Sequence, residues 1–436
     1  MSFKETEVGR IPIDWEVDEL SNKVDLVMGQ SPKSEFYNDK GIGMPFMQGR
    51  TTFGEKYHYI NTWCTDIKRV GIKNSVLMSV RAPVGDVNIA TEDICIGRGL
   101  ASLNMKNKNN EFLYYLLKNY SGLLISKESG TVFGSINKAG IEKLVLPFPS
   151  NSEQKAIAKI LSDLDEKIEV NNKINKNLEE MAQAIFKQWF VDFEFPNEEG
   201  KPYKSSGGEM VESELGMIPK GFKIGFLRDY VDNILGGDWG KENEQGNYKK
   251  EVFCLRGADI PEVRIGKKGS LPKRYILEKN YNNKKLSSGD LVVEISGGSP
   301  TQSTGRISYI NNDILLRYEI GLVCTNFCRA ITLKNKKAME YFYFCWDRIY
   351  NLGVFFQFEN GTTGIKNLDV NTFLDKFKIV KPNIDLIEKF KGIVCDFNKT
   401  IQQNGIENER LEKLRDNLLP KLMSGEIRVP LEYSEN

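Results

Sequence analysis

The chain has 436 residues, and its 60 basic and 59 acidic side chains leave a net charge of only +1. Apolar residues make up 40% and charged residues 27% of it, which is typical of globular proteins and excludes disordered and fibrous classes. A chain this long is expected to form two or more domains. Its first residues carry charge where a signal peptide needs an apolar core, and no run of about eighteen apolar residues occurs. We therefore expect a cytoplasmic protein.

The residues that usually bind metals are scarce and scattered. The seven cysteines include one close pair, Cys324 and Cys328, on a predicted strand with no second pair nearby, and His58 is the only histidine. We interpret the cysteines as reduced, mostly buried thiols and His58 as a surface or packing residue. No metal site, no cofactor and no catalytic residue is predicted.

A repeat runs through the whole chain. The segment Glu7–Val17 resembles Glu214–Ile224, 207 residues later, and Val24–Gly29 resembles Val231–Gly236 at the same offset. The offset then grows to 233 by Pro149 and Pro382, as loop insertions in the second copy would cause. The chain therefore consists of two homologous halves, an arrangement that suits paired half-sites on DNA.

Each half has a strand-rich arm with one aromatic helix, followed by a long helix. The predicted fold class is α/β (α+β): two homologous mixed α/β arms separated by two long helices in an antiparallel coiled coil, with an internal pseudo-two-fold repeat. The second arm is basic, with 26 basic and 18 acidic residues, whereas residues 151–200 carry 6 and 11. DNA contact is therefore expected in the arms. The predicted domains are 1–150 (first arm), 151–195 (first long helix), 196–217 (linker), 218–382 (second arm) and 383–436 (second long helix and tail).

The two long helices carry a heptad seam, because core residues alternate at spacings of four and three. An antiparallel pairing would bring the asparagines of both helices together near the middle, where they could form hydrogen bonds that fix the register. Alternatively, they are merely tolerated polar positions. The seam residues are Ile157, Leu161, Leu164, Ile168, Asn171, Asn175 and Leu178, and, each 233 residues later, Phe390, Val394, Phe397, Ile401, Asn404, Asn408 and Leu411.

Glycine-flanked polar loops occur at matching places in the two arms and differ in side chains, which predicts that the arms recognise different sequences. Arginine pairs with guanine, and glutamine or asparagine with adenine, although any one arginine here could instead form a surface salt bridge. Glu294 could accept from cytosine or cap a strand. The candidate DNA contacts are Gln48, Arg50, Arg81, Arg98 and Lys138 in the first arm, and Arg256, Ser299, Thr304, Arg306, Asn326, Arg329, Thr363 and Lys366 in the second.

Sequence motifs for chemistry on nucleic acids are absent. The segment Gly236–Glu242 (GGDWGKE) lacks the spacing and the hydroxyl of a phosphate-binding loop, and no Asn-Pro-Pro-Tyr or Asp-Pro-Pro-Tyr string is present. Two rival hypotheses remain: a free-standing DNA-modifying enzyme with an unrecognised site, and a coiled-coil adaptor that never contacts DNA.

The order of arm, helix, arm and helix, with SVRAPVGDVNIA (Ser79–Ala90) and GDLVVEISGGS (Gly289–Ser299), resembles the specificity subunit of Type I restriction-modification systems. The segments Lys187–Pro196 and Leu418–Val429 are similar to that family as well. One departure is that Asn383–Phe390 lacks the Glu-Gln pair found at the start of the first helix.

The resemblance implies a subunit without chemistry of its own that recognises a bipartite site on double-stranded DNA, one half per arm. It also implies two methyltransferase subunits bound through the helical region, restriction/translocase subunits, and S-adenosylmethionine and ATP on those partners only.

Overall fold

The computed structural model describes residues 2–81, 83–126, 134–297, 301–362 and 364–430, so the candidates Ser299 and Thr363 lie outside the described residues. The chain divides into two compact units. Unit 1 comprises Met1–Ile168 and Arg410–Asn436, and unit 2 comprises Glu169–Glu409. The division cuts through both long helices, so each unit contains one arm and a part of each helix.

Unit 1 is a mixed α/β arm built around two small sheets. In the described residues the strand orders of these sheets are β10-β9-β12-β4 and β5-β7-β6-β11-β8, and β6 and β11 are parallel. The pairs β1-β2 and β13-β3 complete it. The strands are β1 (Phe3–Thr6), β2 (Gly9–Pro12), β3 (Glu16–Glu19), β4 (Val24–Met28), β5 (Tyr37–Asn38), β6 (Met44–Met47), β7 (Trp63–Cys64), β8 (Val70–Gly71), β9 (Val76–Ser79), β10 (Val87–Ile89), β11 (Ile94–Ile96), β12 (Leu100–Met105) and β13 (Val145–Phe148). The helices are α1 (Leu20–Lys23), α2 (Asn110–Asn119), α3 (Ser121–Ser126), α4 (Lys138–Glu142) and α5 (Asn151–Phe190), which continues into unit 2.

Unit 2 repeats this plan. The sheet β17-β24-β20-β22 matches β4-β12-β9-β10, and the parallel pair β18-β23 matches β6-β11. The strands are β14 (Met210–Ser213), β15 (Gly216–Pro219), β16 (Lys223–Phe226), β17 (Val231–Gly236), β18 (Tyr248–Leu255), β19 (Lys273–Leu277), β20 (Asp290–Glu294), β21 (Ser296–Gly297), β22 (Ile307–Tyr309), β23 (Leu322–Cys324), β24 (Cys328–Leu333), β25 (Glu359–Thr362), β26 (Ile365–Leu368) and β27 (Lys378–Lys381). The helices are α6 (Ile260–Arg264), α7 (Glu278–Lys284), α8 (Asn312–Leu315), α9 (Met339–Asn351), α10 (Val370–Lys376) and α11 (Ile384–Met423), which continues into unit 1. The mixed α/β class and the internal repeat are confirmed.

Side chains of Ser150 and Asn383 cap the two long helices. The Ser150 hydroxyl accepts from the Glu153 N–H at 3.3 Å, and the Asn383 side chain accepts from the Leu386 N–H at 2.9 Å. Every position of the predicted seam is buried or half-buried. The buried positions are Ile157, Leu161, Ile168, Asn171, Asn175, Phe390, Val394, Ile401 and Asn408, and the half-buried positions are Leu164, Leu178, Phe397, Asn404 and Leu411.

The predicted linker, 196–217, differs from the structure in one respect. Its last residues include β14, which pairs with β15 from Met210 opposite Pro219 to Ser213 opposite Gly216. The same hairpin, β1 and β2, begins unit 1. The repeat therefore starts earlier than sequence similarity shows, because a short, largely exposed hairpin has no apolar alternation that would distinguish it from the Gly- and Ser-rich residues before it.

Among the described residues, most of the cysteines and the histidine are buried. All seven cysteines are free, and all except Cys395 are buried. His58 is 7% exposed, and its Nε2 accepts from the Thr91 N–H at 3.2 Å. The interpretation of His58 as a packing residue is confirmed.

An arginine in the C-terminal segment connects two parts of unit 1. Arg428 donates to both oxygens of Asp14, at 3.0 and 2.8 Å, and its Nε donates to Glu153 at 2.6 Å. The Glu153 side chain is only 3% exposed and also accepts from the Trp15 indole at 3.1 Å. The segment after α11 is therefore fixed to the beginning of the arm and of α5 by one buried carboxylate.

Replacing Arg428 with alanine should destabilise unit 1 by about 2 kcal/mol, because Glu153 would stay buried with only the Trp15 donor. Urea unfolding monitored by circular dichroism measures this loss. Asp14→Asn removes the exposed half of the same contact and should cost less than about 1 kcal/mol. Equal losses for the two variants would contradict the role of Glu153.

The same contact predicts a pH dependence. The hydrogen bonds from Arg428 hold the pKa of Asp14 below its ordinary value of 3.8. The stability that Asp14 contributes should therefore be complete above its ordinary pKa and be lost as the pH falls through the lowered pKa. Asp14→Asn should remove this part of the acid dependence.

Candidate nucleic-acid interface

Backbone hydrogen bonds bring the candidate loops of unit 1 side by side. The Gly99 N–H donates to the Gln48 carbonyl at 3.1 Å, and the Val80 N–H donates to the Gly99 carbonyl at 2.9 Å. The Ile136 N–H then donates to the Val80 carbonyl at 3.1 Å. Loops that are far apart in sequence and carry Gln48, Arg98, Arg81 and Lys138 thus form one cluster.

Unit 2 has the same arrangement at the matching places. The Thr325 N–H donates to the Leu255 carbonyl at 3.0 Å, and the Ile295 N–H donates to the Phe327 carbonyl at 2.8 Å. The Leu368 N–H donates to the Ile295 carbonyl at 2.8 Å. Because backbone hydrogen bonds join these loops, their side chains can differ between the two arms while the arrangement of the loops stays the same.

The candidate side chains of unit 1 fall into two groups. Arg50 forms an ion pair with Asp86, Lys138 pairs with Glu142 at 3.4 Å, and the Gln48 amide oxygen accepts from Ser31 at 2.9 Å. Arg81 and Arg98 are exposed. Their guanidinium groups have no carboxylate within 4 Å in the part of the chain that the structure describes, so they are available to an anionic ligand.

Two candidate arginines of unit 2 are held by carboxylates. Arg256 donates to both oxygens of Asp259, at 2.9 and 2.8 Å, and Arg306 donates from its Nε to Glu294 at 2.8 Å. These hydrogen bonds raise the pKa of both arginines. Glu294 is 5% exposed and binds Arg306, so of the two roles considered for it the structure favours the structural one.

The other described candidates of unit 2 differ in exposure. Thr304 is 2% exposed and its hydroxyl donates to Glu359 at 2.8 Å, an arrangement that leaves it away from the surface. Lys366 lies 3.3 Å from the same carboxylate. Asn326 is exposed, and Arg329 donates to the carbonyls of Asn326 and Cys328 at 3.2 and 3.0 Å. Arg329 therefore keeps most of its donors for a ligand.

Replacing Arg306 with alanine should destabilise unit 2 by about 2 to 3 kcal/mol, because the Glu294 carboxylate would stay buried without its partner. The matched control is Arg81→Ala, which removes an exposed arginine without a carboxylate partner and should change stability by less than about 0.5 kcal/mol. Urea unfolding compares the two. An Arg306→Ala variant with wild-type stability would contradict the structural role of this pair.

Sequence reasoning missed two exposed aromatic residues among the loops of unit 2. Phe327 is 58% exposed in the loop before β24, and Trp239 is 37% exposed after β17. Exposed aromatic side chains beside arginines are a common means of contacting nucleic acids. The sequence offered one local signal for Trp239, which lies two residues after the pair Gly236 and Gly237.

The asparagines of the seam form hydrogen bonds between the helices, as the antiparallel prediction requires. Asn171 donates to Asn408 at 2.8 Å, and Asn404 donates to Asn175 at 2.8 Å. Asn408 also donates to Asn172 at 2.9 Å. All of these residues belong to unit 2. The alternative that they are merely tolerated polar positions is wrong, because each makes a specific bond to the other helix.

Replacing Asn408 with leucine should destabilise unit 2 by about 2 to 3 kcal/mol, because Asn172 would lose the Asn408 donor and Asn171 would keep only its bond to Glu407. Asn171→Leu with Asn408→Leu should recover at least about 1 kcal/mol of this, since two apolar side chains suit a seam. A double-mutant cycle in urea measures the coupling. Gln403→Leu, at an exposed position of α11, is the control, and additive costs at 171 and 408 would contradict the pairing.

In the described residues, no group of three or more His, Cys, Asp or Glu side chains is placed to hold a metal ion. Among the same residues, no helix is both long and apolar enough to span a membrane.

Comparisons with known proteins agree with one another. A family model for the Type I restriction modification DNA specificity domain matches residues 12–180. The putative type I restriction enzyme MjaX specificity subunit of Methanocaldococcus jannaschii is 42% identical over 188 residues, which are 42% of this chain and 44% of that protein. The MjaIX specificity subunit of the same organism is 28% identical over 98% of this chain and 96% of its own length. The solved S subunit of a Type I system from M. genitalium has the same fold, with a TM-score of 0.56 and 19% identity over 94% of this chain and 96% of that one.

Proposed function

We propose that the chain is a specificity subunit of a Type I restriction-modification system and that it recognises a bipartite site on double-stranded DNA. Each arm recognises one half-site through its loop cluster. The subunit also carries two methyltransferase subunits and the restriction/translocase subunits of the complex. It performs no chemistry itself, and S-adenosylmethionine and ATP bind to its partners.

The observation that carries the proposal is the repeated loop cluster. Both arms join four loops by matching backbone hydrogen bonds, yet Gln48 and Arg98 of the first arm correspond to Leu255 and Asn326 of the second. Since sequence is recognised by side chains at base edges, two such clusters on one framework suit two different half-sites. The excess of basic residues in the second arm supports contact with phosphates there.

The two rival functions predict different behaviour of the purified chain. A free-standing enzyme would cut or methylate DNA without partners, whereas an adaptor would bind no duplex in a salt-dependent manner even with its partners present. The proposed subunit should bind duplex DNA with a strong dependence on salt, and should direct methylation only when it is assembled with methyltransferase subunits.

Exchanging the second arm should change one half of the recognised site and leave the other half intact, because each loop cluster is built within its own arm. Residues 209–382 are replaced with the matching residues of a relative, so that the β14-β15 hairpin is exchanged whole. Mapping methylated bases in cells that express the chimera and its partners gives the new site. Exchange of residues 1–150 is the reciprocal control, and a change in both half-sites, or in neither, would contradict the proposal.

A further inference from the structure

A glycine-rich loop after β17 lies beside the candidate loops of unit 2. We call Gly236–Lys241 the Trp239 loop. Its Asp238 N–H donates to the Cys324 carbonyl at 2.8 Å, and a Cβ on Gly237 would lie 2.1 Å from the Thr325 carbonyl. Only glycine permits this approach. On its other side, Lys241 exchanges backbone hydrogen bonds with Tyr275 of β19 at 2.8 and 2.9 Å. The loop is therefore fixed between β19 and the loop that carries Asn326.

Two guanidinium groups flank the Trp239 loop. Arg274 lies over the Trp239 indole, 4.1 Å from the ring centroid, and its Nε donates to the Trp239 carbonyl at 3.1 Å. Arg329 is paired in register with Gly236, and its Nη1 would lie 3.8 Å from a Cβ there. The chain from Gly236 to Trp239 spans at most about 10 Å, so the guanidinium groups of Arg329 and Arg274 border the same short stretch of backbone.

The charges around the loop favour an anionic ligand. In the described residues no carboxylate lies within 4 Å of either guanidinium. The carboxylate of Asp238, the acidic residue of the loop, already accepts from the Gly240 N–H at 3.0 Å and from Asn280 at 2.6 Å. Lys284 adds a positive charge, since its Nζ donates to the Gly237 carbonyl at 2.9 Å. Because the Nε of Arg274 is occupied and its plane is held by the indole, its Nη donors are pre-organised for a partner with two acceptor oxygens.

We propose that the Trp239 loop, with Arg274 and Arg329, is a phosphate-contact surface that holds the DNA backbone beside the recognition loops of unit 2 without selecting sequence. This inference rests on the proposed function and adds the residues that position the duplex. Phosphate contacts of this kind set the register of a protein on DNA and make its affinity depend on salt.

The first arm has the same backbone arrangement with different side chains. The Gln30 N–H donates to the Ile96 carbonyl at 2.9 Å, as Asp238 does to Cys324, and a Cβ on Gly29 would lie 2.1 Å from the Gly97 carbonyl. Ser31 follows Gln30 as Trp239 follows Asp238, so this position has no aromatic ring in the first arm. The exposed Arg98 lies in the adjoining loop. An arginine without a carboxylate partner thus recurs at this edge, whereas the aromatic support belongs to the second arm.

The test measures how salt weakens DNA binding by the full chain assembled with its methyltransferase subunits. Arg274→Gln and Arg329→Gln remove the charge but keep a hydrogen-bond donor, and Arg228→Gln removes an equal charge from an arginine that Asp375 already binds at 2.6 Å. Two duplexes are used, one with the site found by methylation mapping and one with that site scrambled. Fluorescence anisotropy between about 50 and 200 mM salt gives the slope of log K against log salt.

Loss of one phosphate contact should lower the slope by about 0.9, so that this increase in salt weakens each variant about 3.5-fold less than the wild type. At low salt, each variant should bind both duplexes more weakly than the wild type does, by the same factor for the two duplexes. The methylated sites should stay unchanged. Arg228→Gln should keep the wild-type slope. Arg274→Lys keeps the charge and should have the wild-type slope. This control distinguishes loss of the charge from a folding defect in Arg274→Gln.

Three results separate the inference from the proposed function. If Arg274→Gln and Arg329→Gln keep the wild-type slope, as Arg228→Gln should, while the wild type binds DNA, the inference of a phosphate-contact surface is overturned. If either variant changes the methylated sequence, the residue recognises bases, and the inference is overturned as well. If the wild type itself binds neither duplex in a salt-dependent manner, the proposed function has failed, and the inference fails with it.

Discussion

Neither long helix can bury its apolar stripe alone, so each depends on the other helix and on the arm beside it. In unit 1, Ile157 and Leu161 of α5 share a core with Leu422 and Met423 of α11. In unit 2, Phe186 and Phe190 of α5 share a core with Phe390 and Val394 of α11. Each core therefore takes one segment from each helix, and neither homologous half of the sequence could complete its own core.

The polar residues of the seam restrict this apolar packing to one register. Leucine in place of the asparagines would bury more apolar area, but it would also allow neighbouring registers. A shift of one turn would leave the buried amides of Asn171 and Asn408 without partners, at a cost of about 1 to 3 kcal/mol for each group. In unit 1 the buried pair of Arg415 with Asp165, at 2.6 Å, has the same effect, because either charge would be costly if left unpaired. Specific pairing thus determines the register that apolar contacts stabilise.

The sequence was sufficient for the features that repeat. The internal repeat and the positions of the seam followed from offsets and spacing, because periodicity directly reflects which face is buried. The sequence could not show which arginines already bind a carboxylate. The partner of Arg306 is Glu294, 12 residues away, and Arg274 contacts Trp239 35 residues away, so these pairs depend on how strands and loops come together. The β14-β15 hairpin was missed because neither strand carries an apolar alternation.

The division of arginines into paired and unpaired groups has a physical reason. A guanidinium that already binds a carboxylate in two places gains little from a phosphate, since it must first give up bonds of similar strength. Arg256 and Arg306 therefore fix the shape of their loops, with Asp259 and Glu294 as partners. Arg329 and Arg274 are instead oriented by neutral groups, backbone carbonyls and an indole ring, which leave the charge uncompensated. Neutral groups that orient a guanidinium lower the entropy cost of binding an anion and do not weaken its attraction to that anion. Arg329 and Arg274 are therefore the arginines of this region best suited to bind phosphate.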